Sequence, residues 1–377
     1  MPDKHQVKKA LIVGGGIAGM SAAIALRKRG VEVDLIDIDP LWRVYGAGIS
    51  ITGATLRAFK ALGILSDVMQ QAYTGDGIQV CDVNGNPVHI VPTPIVAASD
   101  VPGSGGIMRP VLHSILSSRT KELGAQVRLG ITVDKLTSDN NGVNAVFSDG
   151  GSKRYDVAIG ADGVFSRVRN LLFPSAPGPE YTGQCVWRIT VPRPESVVRR
   201  MFFLGGPLKA GLTPVSKSEM YMFLLEPAPK REIIAPEKLP SALFKLMHGY
   251  GGVLSDIRDK LNPLSQIILR PLECFLLQRP WEIGRVILIG DAAHPTTPQL
   301  ASGAGMAVED ALVLAEELTQ QPSVQQAFAG FMDRRYERCR MVVENSLEIG
   351  RLEQSRAPME KQAQLVAHSL RILAEPI

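Results

Sequence analysis

Residues 10–37 constrain this chain more than any other stretch, because they read as a complete strand–loop–helix–strand unit. Ala10-Leu11-Ile12-Val13 is a short continuous apolar run, as expected for a parallel strand buried on both faces. Gly14-Gly15-Gly16-Ile17-Ala18-Gly19 follows, then a helical stretch from Met20 to Arg29 that Gly30 ends. Val31 to Ile36 supplies a second strand, closing at Asp37. Two parallel strands need a crossover between them, so the unit predicts a parallel sheet with helices packed on it.

Within that unit Gly14, Gly16 and Gly19 match G-x-G-x-x-G in the required context. The first glycine permits a tight turn, the second lets backbone approach a pyrophosphate, and the third lets helix and strand pack closely. With Ile17 and Ala18 they open a helix whose free N–H groups carry partial positive charge, a seat for phosphate. Asp37 stands near the offset of about 20 residues at which an acid binds ribose hydroxyls. An acid there favours a free 2′-OH, which FAD and NAD share, so the loop alone leaves the dinucleotide open.

Further along, residues 73–104 change character, with β-like pieces at Gly77 to Asp82 and Pro87 to Val91. Arg109 to Leu123 is helical in period, and Ala125 to Leu129, Val143 to Phe147 and Asp156 to Ile159 read as strands. Residues 178–275 are rich in Pro and β-branched residues, with strands at Gln184 to Val191, Arg200 to Phe203 and Met220 to Leu225. This stretch reads as a mostly antiparallel sheet with a helix or two. Arg285 to Ile289 returns to the parallel style, and a long helix follows from Gly303. The pattern predicts an α/β fold in two parts. Residues 1–72, 105–177 and 276–377 form a Rossmann-like nucleotide domain with C-terminal helices, and 73–104 with 178–275 form a substrate domain.

A formal charge of +4 over 377 residues, with no basic run carrying interleaved aromatics, argues against nucleic acid as a partner. Met1 to Lys9 is polar and leads straight into a strand, so neither a signal peptide nor a spanning helix is read there, and a cytoplasmic location is expected. Cys81, Cys185, Cys274 and Cys339 form no C-x-x-C pair and read as reduced structural thiols; no metal site is expected.

Two later motifs bring a family resemblance. Gly160-Ala161-Asp162-Gly163, followed by Ser166, Arg167 and Arg169, is similar to the Asp-Gly motif of the single-component FAD-dependent aromatic hydroxylases. Gly290-Asp291-Ala292-Ala293-His294-Pro295 resembles their Gly-Asp motif, and Ser302 to Ala311 resembles the helix after it. Arg43 ahead of Gly46-Ala47-Gly48-Ile49, and Arg109 in Met108-Arg109-Pro110, also match positions that contact FAD in that family. The resemblance runs over about residues 8 to 350. It implies FAD as cofactor, held by Gly14, Gly16, Ile17, Ala18, Gly19, Asp37, Arg43, Gly48, Arg109, Asp162, Gly163 and Asp291. Gly303, Ala304, Gly305 and Met306 would open a helix toward the flavin edge that becomes negative on reduction. NADH or NADPH is implied as a transient reductant, with O2 adding at flavin C4a to give a hydroperoxide that hydroxylates a small aromatic ring.

The substrate pocket is expected between the flavin and the second domain's sheet. Candidates are Arg188 and Tyr221 on that sheet, with Pro298 and Gln299 from the flavin side. Arg188 could hold an anionic substrate or lower a phenol pKa, and Tyr221 could stack or hydrogen bond; both could equally be ordinary sheet residues. Arg167 and Arg169 are either cofactor-side groups or a solvated helix face, and His294 reads as part of its turn rather than as a base. Beyond Pro358, Leu365, Val366, Leu370 and Leu373 define an amphipathic helix for core or dimer packing, with no stable membrane association, in a monomer or homodimer. The competing activities are an FAD-dependent oxidase, epoxidase or reductase acting on a non-aromatic substrate, and a nucleotide-binding protein without catalysis.

Overall fold

The computed structural model describes residues 7–44, 46–96, 99–231 and 233–377. The reading of the first residues therefore lies, for residues 1–6, outside the described part. Lys9–Val13 forms the expected buried strand and pairs in parallel with Glu32–Asp37 on one side and Val157–Gly160 on the other. The full sheet has six strands, in the order Glu282–Ile283, Val286–Leu288, Val157–Gly160, Lys9–Val13, Glu32–Asp37, Gln126–Leu129. Only the outermost pair, Glu282–Ile283 with Val286–Leu288, is antiparallel.

The helix Ile17–Arg27 packs on this sheet and against the helix Gly303–Gln320, whose buried residues join the same core. Small side chains at Ala18, Ala22 and Ala25 allow that close approach. Among the strand residues Asp34 is buried and charged, and its Oδ2 accepts from Lys153 Nζ (2.6 Å) and the Tyr155 hydroxyl (2.6 Å). A buried carboxylate is tolerable only when paired in this way. The antiparallel strands Val133–Asp139, Gly142–Phe147 and Ser152–Tyr155 form a separate three-stranded sheet beside it.

A seven-stranded sheet makes the second part of the molecule, in the order Ile267–Cys274, Glu180–Pro192, Glu219–Pro227, Lys209–Pro214, Arg200–Phe203, Ile78–Cys81, Pro87–Val91. It is antiparallel except where Arg200–Phe203 meets Ile78–Cys81. Successive strand residues face opposite sides. One side, carrying Trp187, Ile189, Phe203, Leu212, Met222 and Leu224, is covered by the helices Leu239–Leu246 and Val253–Asp259 through Leu243, Leu254 and Ile257. The other side is left to face the parallel-sheet part. A small sheet of Gly48–Thr52, Ser104–Met108 and Tyr73–Gly75 lies next to it, with Gly106 against Thr213 and Pro214.

The helix Val324–Gln354 packs along Gly303–Gln320, and Met359–Ala374 packs in turn on Val324–Gln354. Leu365, Val366, Leu370 and Leu373 of this last helix join the main core, so its apolar face is used within the chain. Among the described residues no helix is long and apolar enough to cross a membrane. The four cysteines are buried free thiols.

Trp187 is fully buried on the helix-covered side, with Nε1 donating to Glu226 (2.7 Å). Trp187→Ala is expected to cost about 3–5 kcal/mol of stability, measured as a fall in the urea midpoint at unchanged slope.

Candidate functional site

A cavity of about 490 Å³ opens between the parallel-sheet part and the bare side of the seven-stranded sheet. From the first come Gly16, Ile17 and Ala18, then Gly48, Arg109, Gly163 and Asp291, and finally Pro298, Gln299, Gly303 and Ala304. From the second come Arg188 and Tyr221. The predicted groups of both parts therefore meet at one cavity, and they meet there for local reasons.

The glycine loop is fixed by backbone packing. A side chain at Gly14 (φ 108°) would collide with the backbone of Ala161 and Asp162, and one at Gly19 with the Gly14 carbonyl. Gly16 is different, because a Cβ there would meet nothing within 4 Å. Its bare backbone faces the open cavity at the N-terminus of Ile17–Arg27, where no side chain caps the free N–H groups. Asp37 holds the loop from behind, with Oδ2 accepting from Gly15 N (2.6 Å) and Oδ1 from Asp39 N (2.8 Å).

A second uncapped N-terminus points into the same cavity. Ala301 adopts a left-handed conformation (φ 51°) that turns the chain from Pro298–Leu300 into the helix Gly303–Gln320. A non-glycine residue there costs roughly 1–2 kcal/mol. The strain aims the N–H groups of Gly303 and Ala304 at the cavity, since the Ser302 hydroxyl donates to Leu300 O and caps nothing. Gly305 and Met306 do not line the cavity. Gly305 packs on Thr55, and Met306 lies beside Arg335.

The chemistry of this half suits FAD: two bare helix N-termini for a pyrophosphate and for an electron-rich ring edge, an acid behind the loop, and a glycine whose missing side chain serves no packing. Asp291 faces the cavity; its carboxyl pKa is pushed up by the surrounding protein, against the opposing charges of His294 and Arg109. Asp162 is directed elsewhere, accepting from Ser166 Oγ (2.5 Å) and Val168 N (3.0 Å) to hold the start of the helix Arg167–Leu172. Arg43 is exposed and bonded to Asp39. Arg167 pairs with Asp134, whereas Arg169 is buried and donates to Ala292 O (2.9 Å) and Val164 O (2.8 Å). Arg169 thus ties two cavity turns together and is no solvated surface group.

The opposite wall is ordered by strand register. Ile268, Arg188, Phe223, Gly211 and Phe202 are cross-strand partners in one row; Arg270, Val186, Leu225 and Lys209 make the next, and Thr190, Tyr221 and Thr213 the one on the other side. Directly paired residues share a face, so Arg188, Arg270, Lys209, Tyr221, Phe223 and Phe202 all line the cavity. Arg200, two residues before Phe202, joins them. Gly211 leaves room for the Phe223 ring, which meets Phe202 edge-on (5.8 Å between centroids).

Lys209 is paired with Glu353 (2.5 Å) and Glu273 with Arg231, but among the described residues no carboxylate pairs with Arg109, Arg188, Arg200 or Arg270. Burial pushes the pKa values of Arg188 and Arg200 down. Tyr221 offers its ring to the cavity while its hydroxyl bonds Ser50 Oγ (2.6 Å). The Gln299 amide donates to Gln184 Oε1 and Glu353 Oε2, each at 3.2 Å. Sequence reasoning missed Arg200, Arg270, Phe202 and Phe223. Their signal was the two-residue period along each strand, which identifies a face only once the neighbouring strands are known.

Below the cavity His294 is buried, with Nε2 at 2.6 Å from Asp310 Oδ2. The same oxygen accepts from Gly290 N (2.9 Å), and Oδ1 accepts from Arg335 Nε (2.8 Å). His294 is part of the turn's support, as its place in the motif suggested. It also forms, with Asp310 and Cys339, the kind of cluster that can hold a metal, but Arg335 already occupies the carboxylate.

Comparison with known proteins agrees with this geometry. A family described as "FAD binding domain" matches residues 8–348. The chain is 32% identical to the candidate FAD-dependent monooxygenase YetM of Bacillus subtilis, over 92% of this chain and 94% of that one. It is 30% identical to the aurachin C monooxygenase/isomerase of Stigmatella aurantiaca, over 91% and 89%. HpxO of Klebsiella pneumoniae, solved with FAD and uric acid, shares the fold at a TM-score of 0.86 and 24% identity, covering 98% of this chain and 97% of that one.

The His294–Asp310 pair sets a pH window. Burial disfavours the imidazolium, but the Cys339 sulfur and the Asp310 carboxylate facing it raise the His294 pKa well above 6.5, and Asp310 is held down at about 2. A raised folded-state pKa contributes stability below the unfolded value of 6.5 and loses it as pH rises through the folded value. The lowered Asp310 contributes above its unfolded value of 3.8 and loses it as pH falls toward 2. The stability advantage of the wild type over His294→Asn should therefore peak between about pH 4 and 6.5 and shrink on either side, as read from urea midpoints across a pH series.

Proposed function

The chain belongs to the FAD-dependent monooxygenases of the aromatic-hydroxylase type, and from that premise we propose that it uses NADH or NADPH and O2 to hydroxylate a small anionic aromatic or heteroaromatic ring. The observation carrying the substrate reading is the sheet wall on which Tyr221, Phe223 and Phe202 lie among guanidiniums that, among the described residues, no carboxylate pairs with. Uric acid, bound in the Klebsiella protein, is a small heteroaromatic of the proposed kind.

Bound FAD would supply the oxygen chemistry, taking electrons from the nicotinamide and passing one atom of O2 to the ring. The N-termini at Gly16–Ala18 and Gly303–Ala304 would hold its phosphates and its ring edge, with Asp37, Arg109 and Asp291 as polar partners. The aromatic wall would bind the substrate ring by its faces. Arg188, with Arg200 and Arg270, would take the carboxylate or phenolate by charge-assisted hydrogen bonds. A guanidinium beside a phenol lowers its pKa, and the phenolate is the more electron-rich ring for attack by electrophilic oxygen. Pro298 and the braced Gln299 amide would close the cavity on the flavin side, limiting water at the reacting atoms.

Purified protein should be yellow, and a panel of phenolic, pyridine and quinolone acids should contain members that accelerate nicotinamide oxidation with matching hydroxylated product. Nicotinamide oxidation indifferent to every ring, with peroxide as its only oxygen product, would overturn the reading. Asp291→Ala should leave the protein colourless after purification. Arg188→Ala should keep FAD and raise the substrate KM about ten- to hundredfold, the loss of one charged hydrogen bond worth about 1.5–3 kcal/mol; an unchanged KM would remove Arg188 from substrate binding.

A further inference from the structure

The bare side of the seven-stranded sheet does not end at the main cavity. Arg200 is paired with Ile78 on the next strand, and beyond it a second cavity of about 30 Å³ opens on the same side of the sheet. Arg200 lines both. The second cavity is otherwise walled by Ile78, Pro94, Val96, Leu370 and Leu373, together with Thr52 and Thr93, so most of its surface is carbon.

Arg200 is an unusual partition. Its guanidinium approaches the Phe202 ring (5.7 Å), its Nε is buried without a hydrogen-bond partner, and among the described residues no carboxylate holds it. Its methylene stem offers apolar surface between the two cavities that it lines. A mainly apolar space gains when an apolar group replaces the water in it.

We propose that the space behind Arg200 is a subsite for an apolar substituent of the substrate, a short alkyl chain that leaves the ring at Phe202 and runs along the Arg200 stem toward Leu370 and Leu373. This rests on the reading of the main cavity as a ring-binding site. The ring then carries its charge toward Arg188 and Arg270 and its alkyl group toward the last helix. About 30 Å³ holds about two water-sized groups, so the first two methylenes carry the effect.

The test uses the FAD-loaded protein and the ring acid that best stimulates nicotinamide oxidation, together with its n-alkyl derivatives from methyl to pentyl at each ring position. Dissociation constants come from calorimetry. At one ring position affinity should rise about fourfold per methylene (about 0.8 kcal/mol) over the first two carbons and then level off. Leu370→Trp, at a half-buried position, should abolish the rise and leave the unsubstituted acid unchanged. Leu370→Ala should carry the rise at least one methylene further, and it serves equally if the tryptophan variant does not fold. Affinity independent of chain length at every position, or the same dependence in wild type and variants, overturns the subsite alone. No binding by any ring acid overturns both the subsite and the proposed function.

Discussion

The turn that brings Asp291 to the cavity is held by one buried carboxylate, that of Asp310. It accepts from Gly290 N, faces His294 Nε2 and pairs with Arg335, so three segments distant in sequence converge on two oxygens. A buried charge is costly unless every part of it is met, and here the turn and the helix Val324–Gln354 supply the partners of a carboxylate on the helix Gly303–Gln320. Its neighbour Glu309 continues the network outward. Glu309 pairs with Arg335 and Arg338 and lies 3.6 Å from Arg57. Arg57 and Arg338 also donate to the carbonyls of Ile372, Leu373 and Ala374 at the end of the last helix, where cations suit the helix dipole. The chain's end is thus tied by charge to the turn beneath the cavity.

The second constraint is the two-sidedness of the seven-stranded sheet. Trp187 and Ile189 are buried under helices, while Val186 and Arg188, between and beside them on the same strand, face the cavity. The helix-covered side supplies the packing that keeps the sheet flat against the rest. Its opposite side is free to carry cations and rings that no core would accept. Because register aligns Arg188 with Phe223, and Phe223 through Gly211 with Phe202, the pocket's composition follows from strand pairing rather than from any one loop.

This explains which parts of the molecule could be read in the sequence. The Gly14–Gly19 loop, the turn at Gly290 and the helix start at Gly303 are local backbone demands, satisfied within a few residues of chain, and they leave a local signature. The strand at Arg200–Phe203 was also legible, but the importance of Arg200 was not, since its strand partner Ile78 comes from a distant segment. Asp162 shows the converse. Its motif was visible, yet its carboxylate serves the helix at Arg167, with Gly163 and Val164 left to line the cavity. Arg335 looked like one more cation on a long helix, because the acids that bury it lie 25 and 26 residues away.

The chain also treats its guanidiniums in two distinct ways, and the contrast supports the wall proposed to bind substrate. Arg335 and Arg338 meet carboxylates and carbonyls, and Arg169 and Arg285 meet carbonyls in the same fashion. In these four arginines the guanidinium is met by acceptors of the protein. Among the described residues no acid pairs with Arg188 or Arg200, which sit half-buried in surroundings that push their pKa values down, the mark of a charge kept without compensation. Packing needs would have been met as well by Leu or Met at these positions, without the desolvation cost. An anion entering the cavity would stabilise this pair, which is the physical basis on which we propose the wall as the substrate's.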